Sequence, residues 1–450
     1  MGKESLKIDI YEILENIEEF HPSDIAEKLK KLKKKDSEQF YEILHKIPED
    51  YLGEVLLELP EGLRDKAYNS LSNTQISQAI EELETDDATD IIQDLEELDE
   101  QKADDVLKSL DQEDQDDINW LKKYDEDQAG AYMQIELFSA NLNETIQESI
   151  NRLKELKKND ELENVHQVFI VDNENCLQAS ISLEDLLTYD FNLKYSEILN
   201  QDNENSYKPF SVLGDDDIDD VVKWFENYNL SVVAVTGYKN RLLGRITSDD
   251  IIDIVEQSAT EQMYQLAGVD EESEQEEELM QTGKKRASWL FINLLTAILA
   301  SLVIGLFDET LKEYIALAIL MPIVASMGGN AGTQTLAVMV RQLALGDIDE
   351  NNSRDAIKKE ILLSLLNGAL FAIILGTIAF IWFSNPLLGF VIALSMIITL
   401  FCAGFFGALI PLVLKKMDID PAIGSTVVLT TVTDIMGFFS FLALAKFILM

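Results

Sequence analysis

Asp434 is the residue of this chain whose position most needs a chemical reason. It is the only charged residue in PAIGSTVVLTTVTDIMGFFSFLALA, residues 421–445, and lies near the middle of that stretch. Such a stretch can cross a bilayer, which takes about 20 residues per span. A carboxylate at the midplane costs at least about 2.5–3.5 kcal/mol and normally faces a bundle interior or a water-filled cavity. Thr430, Thr431 and Thr433 add small oxygen-bearing side chains on the approach. The ordinary alternative is an acid salt-bridged inside a bundle, but no other apolar stretch carries a central Lys or Arg. The residues therefore read as an arrangement that brings something cationic to Asp434.

A second polar intrusion lies in MPIVASMGGNAGTQ, residues 321–334. Pro322, Gly328, Gly329 and Gly332 weaken a helix, and small residues let neighbouring helices approach closely. Glycines alone would be ordinary packing. With Asn330, Thr333 and Gln334 beside them, they read as the lining of a hydrated path.

Two further groups of acids lie outside the apolar stretches. Asp86, Asp87, Asp90 and Asp94 include i,i+4 spacings, which gather carboxylates along one side of a helix. Like charges so crowded destabilise a helix unless a cation or solvent screens them. Asp249, Asp250, Asp253 and Glu261 fall on successive turns of another expected helix. Either group is a candidate cation site or simply an acidic, soluble face.

The elements that must position these residues divide by charge. Residues 1–286 hold 71 acids and 28 bases, whereas residues 287–450 hold 11 and 8. So acidic a half repels nucleic acid and anionic lipid and attracts cations. Cys176 and Cys402 fit no disulfide or metal spacing, which suggests a reducing compartment. The N-terminus lacks the apolar core of a signal peptide. Over residues 1–130, short helical phrases recur every 12–13 residues, from Pro48, Asn73, Asp86 and Asp99. Each opens on a capping or helix-starting residue and is too short to be stable alone, which predicts a stacked α-solenoid.

Over residues 131–258 a unit occurs twice: VFIVDNENCLQASISLEDLL and VVAVTGYKNRLLGRITSDDII. Strand, polar turn and strand lead into Ser182-x-x-Asp185 in one and Thr247-x-x-Asp250 in the other. An amphipathic helix precedes each. The pair resembles tandem cystathionine-β-synthase (CBS) domains, where this helix start can hold an adenine nucleotide. The same pattern makes a capping box. Capping is the favoured reading, because no glycine-rich or basic phosphate cradle accompanies it. A connecting helix, residues 259–286, breaks near Gly268 and ends in Lys284, Lys285 and Arg286. Residues 287–450 then offer five spans: 287–307, 314–340, two within the uncharged run 361–414, and the Asp434 stretch. Arg354, Lys358, Lys359, Lys415 and Lys416 fall on the side of Lys284 to Arg286. That asymmetry places the N-terminus in the cytoplasm and the C-terminus outside the inner membrane.

The run Pro-x5-Gly-Gly-Asn-x-Gly-x-Gln from Pro322 resembles the pore-helix motif of the MgtE family of magnesium channels. The order of solenoid, YDEDQAGAYM join, CBS pair, SATEQ helix, ALIPLVLKKMDIDPA and the TTVTD run extends the likeness over nearly the whole chain. The resemblance implies a non-enzymatic homodimer in the lipid bilayer, with one ion path on its twofold axis. Asp434 matches the family's central aspartate, Asn330 its pore asparagine, and the backbone at Thr430 would face the ion. It implies Mg²⁺ as both cargo and regulator. Ions bridging carboxylates such as Asp87, Asp90, Asp94, Asp249, Asp250, Asp253 and Glu261 would hold the path shut. Three departures stand out: Gln262 where a second acid is common, Asn229 for a usual Asp, and Asp418 for a usual Gly. The competing readings are a CBS-regulated carrier of Mn²⁺, Co²⁺, anions or an osmolyte, an intramembrane enzyme, and a signalling receptor. An anion path should show central basic residues, enzyme motifs such as HExxH and GxSxG are missing, and a signalling bundle needs no buried acid.

Overall fold

The computed structural model of the chain describes residues 14, 16–159, 162, 164–201, 206–269, 279–348, 352–417, 419–422 and 424–450. It divides into two compact units, Met1–Gln257 and Ser258–Met450.

Among the described residues, a short 3-10 turn (Ile17–Glu19) leads into the helices α1 (Pro22–Lys35), α2 (Ser37–Leu44), α3 (Glu49–Leu57), α4 (Glu61–Ser70), α5 (Asn73–Glu81), α6 (Thr85–Leu107) and α7 (Gln112–Leu121) of the first unit. Short polar caps punctuate them. Asp36 accepts from the Glu38 and Gln39 amides, Ser72 and Gln75 form a capping box, and Asp111 accepts from Glu113 and Asp114. The phrases expected from Asp86 and Asp99 merge into α6, which bends at Asp99 (φ −156°, ψ 93°). Asp99 caps the second half through the Gln101 and Lys102 amides, both at 3.1 Å. One continuous apolar core, including Ile25, Phe40, Leu56, Tyr68, Ile76 and Ile91, runs through the stack. No single short helix could bury such a stripe alone.

Two three-stranded sheets follow, with matching plans. The first has β1 (Ser139–Asn141), α8 (Ile146–Lys158), β2 (Gln167–Val171), β3 (Leu177–Ser182), α9 (Leu183–Leu186) and α10 (Tyr195–Gln201). The second has β4 (Ser211–Leu213), α11 (Ile218–Tyr228), β5 (Val232–Thr236), β6 (Leu242–Thr247) and α12 (Ser248–Ala267). In each, the first strand pairs parallel and the third antiparallel to the middle one. Both carry a register shift at the same place, Ile170/Val171 and Val235/Thr236. Phe169, Val171 and Leu177 pack on Val232, Ala234 and Leu242, which joins the copies through one apolar seam.

The second unit holds the rest of α12, then α13 (Leu279–Gly305), α14 (Asp308–Glu313), α15 (Ile315–Ala344), α16 (Ser353–Phe383), α17 (Pro386–Lys416) and α18 (Ser425–Leu449). Among the described residues, five helices are long and apolar enough to cross a membrane. Ser384 (φ +51°) turns the chain between α16 and α17, and Asn385 caps α17 ahead of Pro386. The α16–α17 hairpin closes on facing glycines: a Cβ on Gly389 would lie 2.7 Å from the Gly376 carbonyl. α17 is central and packs on α15, α16 and α18.

Candidate functional site

The membrane site is built on α15 and α18. Small residues bring α15 close to its neighbours: a Cβ on Gly328 would come 2.7 Å from Thr399 Cγ2 of α17 and 3.8 Å from Thr433 Cβ of α18, and one on Gly332 3.2 Å from Leu429 of α18. These two glycines face the bundle. Gly329 has open space around it, and Asn330, Thr333 and Gln334 are exposed on the opposite side. The motif therefore splits into a packing face and a polar face. Asn330 Nδ2 donates to Ser326 Oγ, a long bond at 3.5 Å that leaves its carbonyl oxygen uncommitted to this partner.

Thr433 is fully buried beside Gly328, while Thr430 and Asp434, one turn apart, share the half-exposed side of α18. Asp434 thus sits at the level of the Gly328–Asn330 turn. The threonine hydroxyls are spent within the helix. Thr430 donates to the carbonyls of Thr426 (2.9 Å) and Val427 (3.1 Å), Thr431 to Val427 (2.7 Å), and Thr433 to Thr430 (3.1 Å). These bonds brace the helix that carries Asp434 and use the hydroxyl protons, while the oxygens keep their lone pairs. Ion pairs described in this unit, Lys312–Asp308 and Lys358–Asp355, lie outside the apolar runs. Among the described residues none involves Asp434.

The end of α12 reaches this region. Thr426 Oγ1 donates to the Leu266 carbonyl at 2.9 Å, and Leu266 packs among Leu336, Val340, Ala422 and Leu429. The helix stops where Gly268 adopts φ +71°, against Trp289. The break foreseen at Gly268 is therefore present. Residues 270–278 of the connecting segment and Asp418 lie outside the described residues.

The acidic residues of the first unit meet at the N-termini of α6 and α12. Asp250 accepts from the Thr247 amide (3.1 Å) and hydroxyl (2.9 Å), and Asp249 also accepts from that hydroxyl. At the other helix start the Ser182 hydroxyl likewise donates to the Asp185 carboxylate at 2.8 Å, and there it is the Asp185 amide that donates back to the Ser182 hydroxyl at 3.0 Å. Both helix starts thus form the hydrogen-bonded cap favoured from the sequence. Asp87 and Asp250 feel each other's charge together with Asp86 and Glu84, and burial pushes all four carboxyls up. Glu84 rises to about 7, chiefly through burial, although Arg245 opposes the shift. Asp86 is 8% exposed, and its Oδ1 has no hydrogen-bond partner. Asp90 is exposed one turn beyond Asp86. Asp253 is exposed near Glu58, where burial and Asp253 both raise the Glu58 carboxyl.

Two candidates stand apart from this group. Asp94 is held by Arg64 (2.8 Å) and Tyr68 (3.1 Å), so its charge is already matched inside the solenoid. Glu261 lies farther along α12 and accepts from Gln265 at 2.6 Å. No group of three or more His, Cys, Asp or Glu among the described residues is close enough to hold a metal ion as it stands. Asn229 has a backbone reason to replace Asp: it ends α11 at φ +51°, a left-handed cap that Asn tolerates.

Sequence reasoning missed Arg245. It is 3% exposed, donates to the Asn164 carbonyl at 2.9 Å and pairs with Glu84 at 3.2 Å. A guanidinium is thus already lodged among the acids. The signal was a charged residue inside the apolar alternation LLGRIT. Thr85, which donates to Glu136 through both its amide and hydroxyl, fixes the same end of α6.

Comparison with known proteins fits this architecture. Residues 321–444 match the family model described as a divalent cation transporter, MgtE, and residues 20–127 match the MgtE intracellular N domain. The magnesium transporter MgtE of Enterococcus faecalis is 34% identical over 319 residues, 71% of this chain and 68% of that protein. The magnesium transporter MgtE of Bacillus subtilis is 27% identical over 95% of this chain and 92% of its own length. A crystal structure of the cytosolic domain of the Mg²⁺ channel MgtE in complex with ATP covers 55% of this chain and 95% of that one, at 26% identity and a TM-score of 0.48. By its sequence, the chain belongs to the MgtE family of divalent cation transporters.

Proposed function

We propose that this chain carries Mg²⁺ across the inner membrane as a homodimer, through a path lined by Asp434, Asn330 and the backbone at Thr430. The carrying observation is Asp434: one carboxylate within an apolar helix, without an ion pair among the described residues, on the half-exposed side of α18. Mg²⁺ keeps octahedral oxygen coordination and gives up its waters reluctantly, so one or two carboxylates acting through retained waters suit it. A second copy would supply the second Asp434 and cover the polar side of α15, which a single chain leaves open. Apolar side chains exposed on α13 and α16, such as Leu290, Ile373 and Ile381, would face lipid. The basic residues at 284, 286, 354, 358, 359, 415 and 416 favour a cytoplasmic N-terminus and an extracytoplasmic C-terminus.

In this reading cytosolic Mg²⁺ also closes the path. It binds at Asp87, Asp90, Asp249, Asp250 and Asp253, with Glu261 on the connecting helix and Asp94 in a lesser role because Arg64 holds it. Bound ions favour one packing of the acidic half, and a ligand shifts an equilibrium only through such a preference. The contact of Leu266 with Thr426 supports a route from α12 to the helix of Asp434. The corresponding domains are residues 1–130, 131–258, 259–286 and 287–450. The test is uptake by purified protein in liposomes, compared across Mg²⁺, Mn²⁺, Co²⁺ and Ca²⁺. Mg²⁺ should enter fastest; equal uptake of all four would reduce the assignment to a general divalent path.

A further inference from the structure

Glu360 lies just before the uncharged run of α16, and its side chain turns inward. It is 9% exposed, although Lys358 and Lys359 beside it face outward. Its Oε2 accepts from the Thr335 hydroxyl of α15 at 3.2 Å, and Thr335 is 5% exposed. α16 packs chiefly on α17 and touches α15 at few places, so this bond is a direct polar link between the two. The link is made possible by a notch in α17. A Cβ on Gly407 would lie 2.8 Å from the Gly332 carbonyl and 3.0 Å from Thr335 Cβ, and one on Gly404 3.2 Å from the Glu360 carbonyl.

An ionisable group buried in a membrane bundle is costly, and such residues concentrate at functional sites. An apolar residue of similar volume would often serve stability as well or better. What the carboxylate adds is direction. Thr335 lies five residues after Asn330, about 140° around the helix axis. Fixing Thr335 from behind therefore fixes which way Asn330 and Gln334 point.

We propose that Glu360 is a positioning residue that, through Thr335, sets the rotation of α15 and so aims its polar face into the ion path. This rests on α15 lining that path, and the test separates the two ideas. Full-length protein in liposomes is assayed for Mg²⁺ uptake against Mg²⁺ concentration. Glu360→Leu and Thr335→Val should each raise the half-saturating concentration, and the double variant should be no worse than the poorer single one. Their coupling should be at least about threefold, as for contacting residues. Glu360→Gln, which keeps an acceptor oxygen for Thr335, should recover most of the affinity. A cysteine placed at Gln334, with Cys176 and Cys402 replaced by Ser, should react with a charged thiol reagent more slowly in Glu360→Leu than with Glu360 intact.

Independent, multiplying effects of the two substitutions would overturn the proposal. So would less assembled protein with an unchanged half-saturating concentration and unchanged thiol reactivity, or a Gln variant as impaired as Leu. If Asp434→Asn leaves uptake intact, the ion-path reading fails instead, and the thiol reactivity still decides whether Glu360 orients α15.

Discussion

The two acidic regions of the molecule solve opposite problems. At the ends of α6 and α12 carboxylates crowd together, and the protein supplies part of their compensation itself: Arg245 for Glu84 and Thr247 for Asp250. In the membrane half a single carboxylate, Asp434, stands in an apolar helix without an ion pair among the described residues. A crowded, partly matched set responds gradually to added cations, because each site contributes little. A lone acid in apolar surroundings depends on its cation outright. The first arrangement suits regulation and the second conduction.

The comparison breaks most sharply at Asp434. Asp434→Ala should abolish Mg²⁺ uptake with expression and dimerisation intact, and Asp434→Asn, which keeps shape and removes charge, should lose most of it. Wild-type rates in a liposome flux assay would remove the distinction. Asn330→Ala should be milder, yet clearly more harmful than Ala331→Ser in that assay, since Asn330 lies on the polar face of α15.

The next effect lies at Arg245. Removing one partner of a buried pair strands the other, at a cost of about 3–5 kcal/mol. Arg245→Met should therefore destabilise the first unit strongly in chemical unfolding and make its compactness depend more steeply on Mg²⁺. The double variant Arg245→Met/Glu84→Gln should recover part of the loss, because no buried charge is left unmatched.

The acid cluster also fixes the sign of a pH effect. Its carboxyls are raised in the folded state, Glu84 to about 7 from 4.5. Such groups stabilise fully below their unfolded values, and that stability is lost as pH rises through the folded ones. For Glu84 alone the swing is about 3 kcal/mol. Without divalent ions the acidic half should lose thermal stability between about pH 5 and 8, and millimolar Mg²⁺ should restore more of it at pH 8 than at pH 6. Equal restoration by NaCl of matched ionic strength would mean screening rather than bridging. The smallest effect belongs to Asp253→Asn alone. An exposed carboxylate of this kind is worth under about 1 kcal/mol, so Mg²⁺-induced protection from proteolysis should barely change.

What could be read from the chain follows from the range of each interaction. Capping residues and helical spacing announced the solenoid, and period-two alternation with a repeated Ser/Thr-x-x-Asp announced the two α/β copies, because both signals are local. Asp434 was legible because a charge in an apolar run contradicts its surroundings. Partners far apart in sequence were hidden. Arg245 meets Glu84 across 161 positions, and Glu360 meets Thr335 from just outside a stretch that reads as uncharged. Asp94 looked equivalent to Asp87 by helical spacing, until packing set Arg64 and Tyr68 against it. Asn229 stands where an acid is usual, and its left-handed backbone, hidden in the sequence, also makes it a helix stop.

The division of labour between the two regions is tested most directly by one flux measurement made at low and high internal Mg²⁺. Three proteins enter it: wild type, Asp434→Asn, and Asp87→Asn/Asp250→Asn/Asp253→Asn. Wild type should conduct at low internal Mg²⁺ and slow at high, Asp434→Asn should conduct little at either, and the triple variant should conduct at both. A triple variant that is silent, or that closes like wild type, together with a conducting Asp434→Asn, would contradict the assignment of conduction to Asp434 and of closure to the acidic cluster.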